Sequence, residues 1–256
     1  MIEFYFKAGF ILVVYFLIGA VGIQLYLIKK GAERKKELWT KYFVYLGLVT
    51  ILHSTFSYAS PTVTMVVLLT ILAKGLIETR TIWTLSKKER WLFVLFMVMI
   101  GFGTILSISF ILVPFLYVLV VVFDGFSQIV GQLFGKIKLF PKISPNKTVE
   151  GFIGGSVSVF ITSTILIDKG ISPVTASVTG SIFFSILVII PSITGDWLAS
   201  WLKRKNGVKD YSKLIPGHGG IFDRFDAFFF VLFVAGIVVI PLVWIVLTLF
   251  NSQYSN

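Results

Sequence analysis

The chain of 256 residues contains no cysteine, which excludes a secreted scaffold held by disulfides. Charge is scarce too. Only 14% of residues are Asp, Glu, Lys or Arg, against about a quarter in soluble domains. Acidic side chains are the scarcest: 12 stand against 23 basic ones, a formal net charge of +11. A disordered chain shows the opposite balance of charge and hydrophobicity. Apolar residues make up 56% of the chain and the mean hydropathy is +0.92. A water-soluble globule cannot hide that much apolar surface. The composition therefore describes an integral membrane protein.

Helical spans need roughly 20 apolar residues. The runs at 8–28, 42–59, 62–76, 91–106, 109–123, 152–167, 178–194 and 227–249 predict eight of them. The first is too long for a signal peptide core and lacks a basic leader. Twenty of the 23 basic residues fall at 29–41, 80–90, 136–147 and 203–224, after spans one, three, five and seven. Eight spans put all four segments on one side, the cytoplasmic one by the positive-inside rule, and both termini outside. None of these short segments resembles a nucleic-acid-binding tail. The expected fold is all-α and polytopic. Residues 1–120 carry few polar groups, and residues 121–256 carry the chemistry, with cytoplasmic loops at 124–150 and 203–226.

Few polar residues interrupt the first half. Lys74 and Glu78, spaced i, i+4 near the end of span three, read as a snorkelling lysine with a helix-end partner. His53 reads as a packing residue. The densest polar cluster lies at 195–226. On a continuing helix Asp196, Ser200 and Lys203/Arg204 share one face, and Trp197 and Trp201 share a neighbouring one. A carboxylate near membrane depth needs a cation or metal beside it. Further on, Pro216, Gly217, His218, Gly219 and Gly220 allow a tight backbone. Asp223 and Asp226 follow at i, i+3, with Arg224 between them. Such a pair suits Mg²⁺, which takes one or two carboxylates plus substrate phosphates. Taken alone, the pair is better explained as a salt-bridged helix start; Asp196, His218 and the basic run reverse the balance to the metal.

The segment 124–155 is the third polar region. Lys136, Lys138, Lys142 and Lys147 can neutralise a polyphosphate, although the glycine spacing is not that of a Walker loop. Residues 144–148 read as a turn before a helix. Thr148 is its N-cap and Glu150 lies in its first turn. Gly151, Gly154 and Gly155 read as a close helix-packing face.

The run S-x-L-K-R-x-x-x-x-K-D-x-S-x-x-I-P-x-H-G-G-I-x-D-R-F-D, from Ser200 to Asp226, resembles the signature of the phosphatidate cytidylyltransferases. F-G-K at Phe134, Gly135 and Lys136 and I-S-P-x-K-T-x-E-G-x-x-G-G from Ile143 to Gly155 resemble that family as well. The likeness covers about residues 120–230. It marks a divergent branch: Gly125 and Phe126 follow Asp124 where the family runs to Thr and an aromatic pair. Gln128 stands where an aromatic residue is expected, and Gln132 where Arg is.

The resemblance implies CTP and phosphatidic acid as substrates, CDP-diacylglycerol and pyrophosphate as products, and a bacterial-type plasma membrane. It implies Mg²⁺ on Asp196, Asp223 and Asp226, with room for a second cation. Lys203, Arg204 and Arg224 would clamp phosphates of the lipid or CTP. His218 would donate to a phosphate or the pyrophosphate. Lys136 and Lys147 would hold the nucleotide, and Asp124 would meet a ribose hydroxyl, the cytosine or a metal-bound water. Ser144, Thr148, Glu150, Ser200, Lys209 and Asp210 complete the substrate-binding set. A homodimer is compatible with this reading. The competing readings are a CTP-dependent kinase of an isoprenoid alcohol, an anion transporter, which would want midplane polar sites and a repeat, and a non-catalytic paralogue.

Overall fold

The computed structural model describes residues 2–31, 33, 35–79, 112–167, 177–215 and 219–254. The order is α1 (Ile2–Lys30), α2 (Lys35–Tyr58), α3 (Pro61–Thr79), α4 (Leu112–Phe134), β1 (Lys138–Phe140), β2 (Ser144–Thr148), α5 (Val149–Ile167), α6 (Val178–Lys205) and α7 (Phe222–Tyr254). Five of these helices are long and apolar enough to cross a bilayer: Glu3–Lys29, Pro61–Thr79, Leu112–Phe134, Val149–Ile167 and Val178–Lys205. The fold is an all-α, polytopic membrane protein. The span expected at 91–106 lies outside the described residues.

α4 is the central helix. Every residue from Val113 to Phe123 is buried, as a helix apolar on all sides requires. α1 is peripheral, and Phe6, Phe10, Leu17 and Ile28 stand exposed for lipid to cover. Two of the expected boundaries move furthest. α4 was expected to end at Phe123 but continues to Phe134, so Asp124 lies within a helix, not in a loop. Only one charged residue interrupts 124–134, and the helix stops where Gly135 and Lys136 follow. α6 likewise runs past Thr194 to Lys205, with Lys203, Arg204 and Lys205 in its last turn, where cations suit the helix dipole. Asn206 caps it, and Gly207 (φ 69°) takes the left-handed conformation. The Val208 N–H then bonds to the Lys203 carbonyl and the Gly207 N–H to the Arg204 carbonyl, a Schellman closure.

Residues 144–148, expected as a turn, form the second strand of an antiparallel hairpin with Lys138 opposite Thr148 and Phe140 opposite Ser144. The strand tolerates Pro145 because no third strand needs its missing N–H.

The glycine face of α5 is a packing face, as its small residues suggest. A Cβ on Gly151 would come within 2.5 Å of the Ser127 carbonyl oxygen, one on Gly154 within 2.6 Å of Val130, and one on Gly155 within 2.8 Å of the Phe123 carbonyl oxygen. α5 and α4 therefore meet backbone to backbone. On its other side α5 meets α6 through polar glue: Ser163 Oγ donates to the Ser181 carbonyl at 3.2 Å and lies 3.0 Å from Ser185 Oγ. Since a side chain at Gly155 must push α4 away, Gly155→Val should cost about 3 kcal/mol or more. Loss of the monodisperse peak in size-exclusion chromatography of the detergent-extracted variant would report it.

Candidate active site

Three helices and the hairpin bring acids together at one end of the bundle. Gly195 is the reason α6 and α7 approach there: a Cβ on it would lie 2.8 Å from Phe230 Cβ and 3.2 Å from the Asp226 carbonyl oxygen. The next residue, Asp196, consequently faces Asp226, and their carboxyl groups lie in hydrogen-bonding reach. Lys147, on β2, donates from Nζ to Asp196 Oδ2. Asp124, on α4, lies close enough to feel the charges of Asp196, Lys147 and Arg224. Asp226 is buried and takes its neighbour's N–H, from Ala227, on Oδ1 at 2.9 Å.

Lys147 is the cation of this cluster. Burial works against its charge, but the Asp196 and Asp124 carboxylates outweigh that, and its pKa is held above the ordinary lysine value of 10.5. β2 and the start of α5 fix its position. Thr148 Oγ1 accepts the Gly151 N–H at 3.1 Å, so Thr148 is the N-cap expected of it. Glu150 accepts the Ile137 N–H on both oxygens at 3.3 Å and so anchors the Lys136 loop from below. Arg204 spans two loops, donating to the Ile143 and Val208 carbonyls at 3.2 and 3.1 Å.

Asp223 does something different. Its Oδ1 accepts from Lys203 Nζ at 2.7 Å, and its Oδ2 accepts the N–H groups of Tyr211 and Gly220 at 2.9 and 2.8 Å. Lys203 also sits over the Tyr211 ring, 5.0 Å from its centre, and the Tyr211 hydroxyl donates to the Ala199 carbonyl at 3.2 Å. Burial pushes the Tyr211 phenol up, with Asp226 and Asp223 adding to the shift, so this hydroxyl stays a donor. Asp223, Lys203 and Tyr211 form one buried network that ties Tyr211 and Gly220 back to the helices. Gly219 (φ 84°) belongs to that fold: a Cβ there would meet Asp223 Oδ2 at 2.8 Å.

The arrangement thus gathers Asp124, Lys147, Asp196 and Asp226, and holds Asp223 and Lys203 behind them. Asp196 and Asp226 offer oxygen donors from two helices, a set that fits Mg²⁺ bound by two carboxylates and substrate phosphates. Among the described residues, no group of three or more His, Cys, Asp or Glu side chains stands together as a metal-holding set. Ser200, one turn beyond Asp196, is half-buried. Lys136, Lys209, Asp210 and Arg224 are exposed, and Ser144 is half-buried in β2. His218 lies outside the described residues. Trp197 and Trp201 stack with a 13° interplanar angle, consistent with the shared face expected of them.

Two features escaped the sequence. Glu78 is no surface partner for Lys74: it is buried and accepts from Ser212 Oγ at 2.8 Å and from the Ile221 and Phe222 N–H groups at 3.1 and 3.0 Å. The Tyr15 hydroxyl fills the place where a side chain on Gly125 would stand, beside Asp124. A carboxylate alone at the end of an apolar run was the available signal for Glu78. A glycine in the departure from the family pattern was the signal for Tyr15. His53 is buried, 3.4 Å from Ser57 Oγ, as a packing residue should be.

A family model described as the cytidylyltransferase family matches residues 1–242. The phosphatidate cytidylyltransferase of Haemophilus influenzae is 40% identical over 118 residues, 45% of this chain and 41% of that protein. That of Staphylococcus saprophyticus is 41% identical over 134 residues, 50% and 48% of the two chains. That of Bacillus subtilis is 41% identical over 130 residues, 50% and 44%. The matched stretch spans about half the length of these curated relatives. With a match that runs through nearly all of its length, the chain belongs to the cytidylyltransferase family.

Proposed function

We propose that this protein is a membrane nucleotidyltransferase that moves CMP from CTP to phosphatidic acid. A phosphate oxygen of the lipid attacks the α-phosphorus of CTP, forming one P–O bond. The bond to the β-phosphate breaks, and pyrophosphate leaves with its electron pair. The observation that carries this reading is the meeting of Asp196, Asp226 and Lys147 from α6, α7 and β2. The relatives that match half the chain are phosphatidate cytidylyltransferases, and they support the substrates.

Both substrates are polyanions and repel each other, so positioning and charge neutralisation carry the rate. Asp196 and Asp226 would hold Mg²⁺, which when bound neutralises phosphate charge and orients the reacting groups. Lys147 then shares its proton donors between Asp196 and a phosphate of CTP. The exposed Lys136 and Arg224 extend the cationic surface at the site mouth. Asp223, paired with Lys203, holds Tyr211 and Gly220 in place. These loops face the cytoplasm, where CTP is found, while the acyl chains remain in the bilayer.

Asp226→Asn keeps an acceptor for the Ala227 N–H and removes a charge. Transfer in proteoliposomes should fall on the order of 10²-fold or more, with expression intact; near-normal transfer sinks the assignment. Lys147→Ala should raise the KM for CTP, and an unchanged KM takes Lys147 out of the nucleotide site. Lys147 gains its partner on folding, so the pair's contribution is full below 10.5 and disappears only as pH passes the raised folded value. Comparing wild type with Lys147→Arg from about pH 6 to 9 should reveal no difference in the slope of rate against pH. Labelled CTP separates this reading from the lipid kinase: transfer releases pyrophosphate, a kinase releases CDP.

A further inference from the structure

We propose that Glu78 is a positioning residue: from α3 it caps the N-terminus of α7 and thereby sets where Asp226 stands. This inference rests on the transferase reading only for its consequence in rate. The contact itself is a matter of helix chemistry.

The first N–H groups of a helix have no partner within it, and a side chain at the N-cap position usually takes one of them. α7 begins at Phe222, and the residue in its N-cap position is Ile221, whose carbonyl accepts the Arg224 N–H at 2.9 Å. Isoleucine has no acceptor to offer and is among the poorest N-caps. The chain meets this need from elsewhere in sequence. Glu78 Oε1 takes the Ile221 N–H, and Oε2 takes the Phe222 N–H. Asp223 takes the Gly220 N–H. Two carboxylates thus hold three successive amides. The negative charge of Glu78 also sits at the positive end of the α7 dipole.

The docking is built to allow this. Gly75, one turn before Glu78 on α3, leaves room for Phe222: a Cβ there would fall 2.7 Å from Phe222 Cδ2. A Cβ on Gly220 would fall 2.5 Å from Glu78 Oε2 and 3.0 Å from Ser212 Oγ. The first turn of α7 is therefore gripped from α3, and Asp226 lies one turn along from Phe222. Small displacements of a catalytic group carry large losses of rate, up to about 10²-fold for an ångström. The bonds of Glu78 to Ser212 and to the Ile221 and Phe222 amides serve the start of α7, so its loss should act on turnover rather than on nucleotide binding.

The test pairs Glu78→Ala with Glu78→Ala/Ile221→Asp, which supplies a carboxylate cap from α7 itself. Two readouts are taken in lipid nanodiscs. In Glu78→Ala, hydrogen exchange of the Ile221 and Phe222 amides should speed at least tenfold. The kcat for transfer should fall about 10- to 100-fold, with the KM for CTP within about twofold of wild type. The double variant should slow exchange at the Asp223 and Arg224 amides, the ones an N-cap carboxylate reaches, and recover a large part of kcat. A carboxylate needed only for inserting α3 could not be replaced from α7. Should Glu78→Ala not accumulate as folded protein, Glu78→Gln keeps the side-chain length and loses one acceptor oxygen. Its smaller change in the same readouts is then compared with Glu78→Gln/Ile221→Asp. Unchanged exchange of the Ile221 and Phe222 amides in Glu78→Ala, a rise in KM alone, or no recovery of kcat in the double variant overturns the proposal. A wild type with no cytidylyl transfer, but with the expected exchange, overturns the transferase reading and leaves the cap standing.

Discussion

The ion pair between Lys147 and Asp196 is the constraint around which the rest of this protein is arranged. Three carboxyl groups, on Asp124, Asp196 and Asp226, approach one another in a bundle that is otherwise apolar. Like charges in such a place oppose each other, and burial opposes all of them. A cation must be delivered among them, and it must be held there without a long flexible loop. The hairpin does this. Thr148 caps α5, Glu150 ties down the preceding loop, and Lys147 is left between the two anchors on a strand whose direction is fixed.

Close helix contact is the second requirement, because carboxylates on different helices meet only if the backbones do. Glycine makes it possible at three places. Gly195 brings α6 onto α7 beside Asp226, Gly151 and Gly155 bring α5 onto α4 near Asp124, and Gly75 brings α3 onto the first turn of α7. In lipid there is little hydrophobic drive between helices, so such contact depends on packing and hydrogen bonds. The Ser163, Ser181 and Ser185 cluster between α5 and α6 supplies some of the latter. The glycines and serines therefore belong to the site, though none of them is among its charged groups.

Much of this was legible in the residues. The hydropathy pattern announces a polytopic helical protein, and the small-residue face of α5, the cap at Thr148 and the stacked Trp197 and Trp201 follow from helical spacing. Boundaries were less legible, because a helix in a bundle can continue through Asp124 when neighbours supply its partners. Residues 144–148 look like a turn for their Ser, Pro and Asn, and only the pairing with 138–140 makes them a strand. Glu78 was illegible for a different reason. Its partners Ser212, Ile221 and Phe222 lie more than 130 positions away in sequence, and no local period reports such a contact.

Asp223 and Asp226 show why spacing alone assigns chemistry poorly. At i, i+3 they look like a matched pair, and a paired role follows from any helical projection. But Asp223 stands in the first turn, next to amides that have no partner in the helix, and next to Lys203 from α6. Its two oxygens meet three donors there. Asp226, one turn on, is past the region of free amides and turns to Asp196. The difference comes from position relative to the helix end. An acid at a helix start is drawn into holding the backbone with both oxygens; the acid a turn later gives one oxygen to the Ala227 N–H and faces Asp196. If a metal is to use Asp223 as well, it must offer more than Lys203 and two amides already do, and the ties to Tyr211 and Gly220 would change with it. As the hydrogen bonds stand, Asp223 and Glu78 fix the start of α7, and Asp226 lies one turn along the helix they hold.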